Sequence, residues 1–153
     1  MLTRSEDVTT ADKNRSKSLT QKKSDLMERK AAIEKYNADI FVSIHMNKFS
    51  DEKYSGAQVF YPASDKSKKL AEIMQKSLID VLDKSNNRAA KENNKIFVLK
   101  NNSIPSILIE CGFLSNKAES EKFKTEAYRQ KTAWAIYMGL NNYFHNIEKN
   151  NKK

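Results

Sequence analysis

Glycine and proline are scarce in this chain: three and two residues out of 153. Long irregular stretches therefore have little to be built from, and regular elements joined by short polar turns are expected. There is no Gly-rich phosphate loop, no C-x-x-C and no G-x-S-x-G, so nucleotide binding and serine hydrolysis lack support. The single cysteine, Cys111, excludes an intramolecular disulfide but leaves the compartment open. No apolar run approaches the roughly 20 residues of a membrane span. Met1 is followed by Leu2-Thr3-Arg4-Ser5-Glu6-Asp7, which lacks the apolar segment of a signal peptide. Acidic residues are in the minority, 19 against 28 Lys+Arg, for a net charge of +9. That balance favours polyanionic partners: nucleic acid, an anionic membrane surface or an anionic wall polymer. The lysines are scattered, with no continuous basic helix and no interleaved aromatic stripe. Most therefore read as a solvated surface, and nucleic acid is not the expected partner.

What is present fits one soluble domain with one core. The hydrophobic fraction is 39% and the charged fraction 31%. From about Ser18 to Asn37, Leu19, Leu26 and Ile33 recur at sevens, with Met27 and Ala31 beside them, predicting an amphipathic helix. The run Ile40-Phe41-Val42-Ser43-Ile44 ahead of His45 predicts a strand buried on both faces, as in a parallel sheet. Gly56 to Tyr61 predicts a second strand, stopped by Pro62. Leu70, Ile73, Met74, Leu78, Val81 and Leu82 mark one helical face, with an N-cap at Ser64-Asp65. Ile96 to Leu99 and Ser106 to Glu110 predict two further strands, and Lys117 to Phe123 a short helix. A long terminal helix is predicted from Glu126 to about Ile147, with Ala133, Ile136, Tyr137, Leu140, Phe144 and Ile147 facing inward. The tail, 148–153, is expected to fray. Helices alternating with short buried strands imply an α/β fold: three layers, a mostly parallel or mixed central sheet, helices on both faces.

In such sheets ligands bind at the carboxyl ends of the strands. His45 and Glu110 stand there, each at the end of a strongly apolar run. A histidine so placed is most often a hydrogen-bonded structural residue. A carboxylate ending a buried strand is costly without a partner, which points to a metal or a substrate. Together they suit metal-assisted hydrolysis, in which imidazole binds Zn²⁺ and a carboxylate takes a proton from water. One histidine is only one ligand, however, and His145 falls at the end of the last helix. Cys111 should point away from Glu110 and act as a small buried hydrophobe.

Ala38-Asp39-Ile40-Phe41-Val42-Ser43-Ile44-His45-Met46-Asn47 resembles the "ADLFVSIHAN" segment of zinc-dependent N-acetylmuramoyl-L-alanine amidases. Ile109-Glu110-Cys111-Gly112-Phe113-Leu114-Ser115-Asn116 resembles the family's "VExGFLSN" segment. Leu2-Thr3-Arg4 with Asp7 looks like its "TRxxD" strand end, and Leu26 with Arg29 like its "LxxR". Val98-Leu99 followed by Pro105 is similar to its later strand pair. The order agrees from Met1 to about Phe144, most closely with the sporulation amidases of the CwlD type.

The resemblance implies hydrolysis of the amide between N-acetylmuramic acid and the L-alanine of the stem peptide. It implies a Zn²⁺ cofactor with His45 as a ligand, and Glu110 as the catalytic carboxylate. Asn47, Gly112 and Phe113 become substrate-binding candidates. It implies an amidase domain over 1–147 with a flexible tail over 148–153. Peptidoglycan is the implied partner, with an activating protein left open, and the implied location is the cell wall or forespore. Family members carry another strand and helix ahead of the "TRxxD" region. That strand ends in a ligand histidine within a "GHGG"-like turn, and the helix carries a ligand glutamate. The resemblance therefore implies that this chain starts after both, and weak zinc binding with little activity is expected of it. The alternative reading is a non-catalytic wall-binding or regulatory module.

Overall fold

The computed structural model describes residues 21–151. The expectations at Leu2-Thr3-Arg4, Asp7 and Leu19, and at the last two tail residues, lie outside that range. Four helices, named α1 (Gln21–Lys35), α2 (Asp65–Leu82), α3 (Lys117–Lys124) and α4 (Glu126–Asn151), surround four strands. The strands are β1 (Phe41–Asn47), β2 (Gln58–Tyr61), β3 (Lys91–Glu92) and β4 (Ser106–Phe113), in the spatial order β1-β4-β2-β3. β1 runs parallel to β4, β2 antiparallel to β4, and β3 parallel to β2. The expected mixed α/β sheet with helices on both faces is what forms.

β4 lies between β1 and β2 because it is apolar on both sides. Ile107, Ile109 and Cys111 point to one face, and Leu108 points to the other. The first face is covered by α2 and α4, whose Leu70, Met74, Leu78, Ala135, Ile136 and Tyr143 complete the main core. Leu70, Met74, Leu78, Ile107 and Ile109 are fully buried, each contributing about 1.5–3 kcal/mol of hydrophobic stabilisation. The second face carries a smaller cluster of Val98, Leu99 and Leu108, with Leu26 of α1, Phe41, Phe60 and Ile96 against it. α2 starts where expected: the Ser64 hydroxyl accepts from the Ser67 N–H, and Asp65 sits favourably in the first turn.

Several expectations are corrected. β1 is not buried on both faces: Ser43 alone of its residues is buried, and Ile44 is 59% exposed. Among the described residues no strand pairs with its outer edge. A groove of about 530 Å³ runs there, lined by Ile33, Ile40, Val42, Ile44 and Phe144 among others. The run Ile96 to Leu99 is not a strand but a 3₁₀ turn over Phe97–Leu99, closed by the Leu99 N–H on Ile96 O and the Lys100 N–H on Phe97 O. So short an apolar run carries no period that tells strand from helix. The two-residue β3 is fully exposed and polar, and carries no hydrophobic signal. α4 presents a face rotated from the expected one: Thr132, Ala135, Ile136 and Tyr143 are buried, while Ala133, Tyr137 and Phe144 are exposed. Close approach to α2 decides this. The Ser77 hydroxyl donates to Ala135 O at 2.7 Å, and a Cβ on Gly139 would sit 2.7 Å from Met74 Sδ. Small residues therefore face α2, and the Tyr137 and Phe144 rings turn outward. α4 also continues to Asn151, past the expected start of the tail.

Candidate active site

β1 and β4 are parallel neighbours in a register that pairs His45 with Glu110. Both stand near the carboxyl ends of their strands, on the sheet face opposite the main core. The sequence placed them at strand ends; the register brings them side by side. Glu110 is half-buried, and burial pushes its carboxyl up to about 7. Its Oε2 is buried and has no hydrogen-bond partner among the described residues, a costly arrangement for a carboxylate. His45 is exposed, and its Nε2 lies 2.9 Å from the hydroxyl of Ser43, two residues back on the same face. Ser43 is buried and so offers a fixed anchor for that ring.

Cys111, next after Glu110, turns to the other face and joins the main core. Burial, and then the charge of Glu110, push its thiol up to about 12. A thiol held that high is no nucleophile near neutral pH. His145 is exposed on α4, as expected of it.

Beyond the pair, the register shifts between His45 and Asn47, and the Leu114 N–H donates to Asn47 O at 2.7 Å. Asn47 is half-buried at this irregular strand end. Gly112 is packed too tightly for any side chain: a Cβ there would meet the Phe123 ring at 2.8 Å and Glu119 Oε2 at 3.1 Å. Phe113 is buried beneath Tyr54, with the Arg88 guanidinium 5.3 Å from its ring centre. Both residues are thus fixed by packing at the end of β4.

Glu119 ties the end of β4 in a way that the sequence reading missed. Asn116 caps α3 by accepting from the Glu119 N–H, the first half of a capping box. The second half is redirected. The buried carboxylate of Glu119 accepts from the Phe113 N–H at 2.7 Å and from the Gly56 N–H at 2.9 Å. One side chain thereby ties the end of β4 to the segment entering β2, whose Gln58 pairs with Glu110. The Asn-x-x-Glu spacing was the available signal. Nothing in it indicated the long-range partners.

His45 and Glu110 offer a neutral imidazole and a carboxylate, donors that zinc accepts. A catalytic zinc takes about three protein ligands. Among the described residues no group of three His, Cys, Asp or Glu comes together, so no third donor stands with this pair.

With this geometry in place, comparison with known proteins defines the class. The family model described as N-acetylmuramoyl-L-alanine amidase matches residues 1–142. The chain belongs to this family. The germination-specific N-acetylmuramoyl-L-alanine amidase of Bacillus subtilis is 34% identical over 145 residues, covering 94% of this chain and 61% of that protein. An uncharacterized cell wall amidase of Bacillus anthracis is 38% identical over 128 residues, covering 78% of this chain and 24% of that protein. Among solved structures, the CwlD amidase from Clostridioides difficile in complex with the GerS lipoprotein superposes with a TM-score of 0.89 at 44% identity, covering 95% of this chain and 75% of that one. The chain thus spans between about a quarter and three-fifths of the length of the two curated relatives.

Proposed function

We propose that this chain carries the catalytic carboxylate and one zinc ligand of a peptidoglycan amidase. The bond cleaved is the amide between the lactyl group of N-acetylmuramic acid and L-alanine of the stem peptide. The observation that carries this reading is Glu110: a carboxylate beside a histidine at paired strand ends, held up to about 7 with one oxygen unpartnered among the described residues. A base with that pKa takes a proton from water near neutral pH. Glu110 removes the proton as the water oxygen adds to the amide carbon, then returns it to the alanine nitrogen as the C–N bond breaks. The products are the lactyl carboxylic acid and a free amine. Zinc, when bound, supplies polarisation of the carbonyl and acidification of water. His45 is the zinc ligand this chain contributes, and Ser43 steadies its ring. A groove along the outer edge of β1 reaches Ile44, the residue before His45. Asn47 lies at the rim, and Gly112 and Phe113 hold the wall behind it.

Membership of a family of cell wall amidases, including a germination-specific relative, supports action at the wall or the spore. No helix among the described residues is long and apolar enough to cross a membrane. The lipoprotein bound by the CwlD relative suggests an accessory protein for this chain as well.

The test is hydrolysis of purified peptidoglycan with added zinc, read as new L-alanine amino termini. Glu110→Gln is expected to lower the rate by at least about 100-fold, the usual contribution of a positioned base. An unchanged rate in that variant sinks the assignment. The partial donor set favours a second reading, a wall-binding module without chemistry. Co-sedimentation with peptidoglycan, with no amine released under any metal condition, would establish it.

A further inference from the structure

Past His45 and Glu110, the chain exposes a large apolar side chain at the end of each strand. Phe49 is 51% exposed and Leu114 47% exposed, four positions after His45 and Glu110 respectively. An exposed apolar ring at the mouth of a cleft with a few polar groups is a candidate contact surface. Phe49 does not dangle. Its N–H donates to the Ser115 hydroxyl at 3.2 Å, and its ring packs edge to face on Tyr54, with centroids 5.0 Å apart and planes at 81°. Tyr54 rests in turn on Phe113, at 6.2 Å. The loop holding both rings is pinned at two more points: the Asn116 amide donates to Glu52 O at 2.9 Å, and the Gly56 N–H to Glu119 at 2.9 Å. A ring kept in water by so many restraints is preorganised, which lowers the ordering cost of binding. Lys48 is exposed beside it, and Lys53, 5.5 Å over the Tyr54 ring, pairs with Asp51 at 2.7 Å, so charged groups edge the apolar surface.

We propose that Phe49, backed by Tyr54, is the floor of a saccharide subsite that takes the apolar face of a pyranose ring in the glycan strand. This rests on the amidase reading above and names where the polymer lies beyond the scissile amide. Three features select a sugar. The substrate is a polymer and has to extend past the His45–Glu110 pair along the strand ends. A flat ring face matches the axial C–H face of a pyranose. The lysines at the edge meet its hydroxyl and acetamido oxygens.

The test uses the whole chain and needs no turnover. Binding is measured by calorimetry for a soluble disaccharide-tetrapeptide and for the same tetrapeptide without sugar. Phe49→Ala is expected to weaken disaccharide-tetrapeptide binding roughly tenfold, the scale of a buried aromatic anchor. Phe49→Tyr keeps it, and the free peptide is insensitive to either change. Phe97→Ala, which removes another exposed ring, leaves all affinities and serves as control, with melting curves confirming that each variant folds. Three results overturn the inference. If the disaccharide-tetrapeptide binds equally well to Phe49→Ala, the subsite is wrong while the amidase reading stands. If the free peptide loses as much as the disaccharide-tetrapeptide, Phe49 holds peptide and not sugar. If the unaltered chain binds neither ligand, the subsite falls together with the reading beneath it.

Discussion

At Glu110, desolvation raises the carboxyl pKa and costs the fold stability once the group ionises. The carboxyl titrates near 4.5 when unhindered and near 7 in the folded chain. The folded state therefore binds this proton more tightly than the unfolded one. The group's favourable contribution is complete below about 4.5 and is lost as pH rises through about 7. In metal-free protein, the melting temperature of the parent is expected to fall relative to Glu110→Gln between pH 5 and pH 8, because glutamine has no proton to lose. Parallel pH profiles for the two proteins would contradict the burial argument. Cys111 makes the complementary case. With its thiol held at about 12, alkylation in the folded state is expected to be slow, and Cys111→Ala should leave hydrolysis intact.

At the scale of elements, β4 is fastened to its neighbours by close packing and buried hydrogen bonds. Gly112 allows the Phe123 ring and the Glu119 carboxylate to approach the strand. Gly112→Ala is expected to cost about 1–3 kcal/mol in urea unfolding, since the ring and strand have to move apart. Glu119→Gln replaces an acceptor pair by one acceptor and one donor. Either the Phe113 or the Gly56 N–H is then left facing an amide NH₂, at a cost of about 1–3 kcal/mol. Wild-type stability in the Gln variant would mean that water, and not Glu119, satisfies these groups. The α2–α4 contact rests on a similar device, small residues at Ala135 and Gly139 that let Ser77 and Met74 come close.

For the molecule as a whole, the zinc balance is the open quantity. The described residues bring His45 to Glu110 but gather no third donor. After dialysis, metal analysis is expected to find well under one zinc per chain, with the residual amount removed by His45→Ala. A full equivalent that survives dialysis would mean that residues outside 21–151, or a second molecule, complete the site. The edge of β1 that no described strand pairs with makes a related prediction. An added strand that fills the groove should raise the melting temperature and the zinc affinity together, because one edge carries both.

The sequence by itself determined the class of fold, the two strand ends that matter and the residues standing on them. Those features are local: apolar runs at Ile40 to Ile44 and Ser106 to Ile109 make strands wherever they are buried, and the 3–4 spacing behind Ser64 makes a helix. Its two long motifs also carried the family assignment. Tertiary structure alone decided the rest. Adjacency of His45 and Glu110 comes from the β1–β4 register, which pairs residues 65 positions apart, such as Phe41 with Ser106. The rotation of α4 came from contact with α2, which helix periodicity does not encode. The strand β3 exists only through its pairing with β2. The carboxylate of Glu119 left its own helix cap for two distant N–H groups, because burial penalises every unpaired donor and those two were within reach.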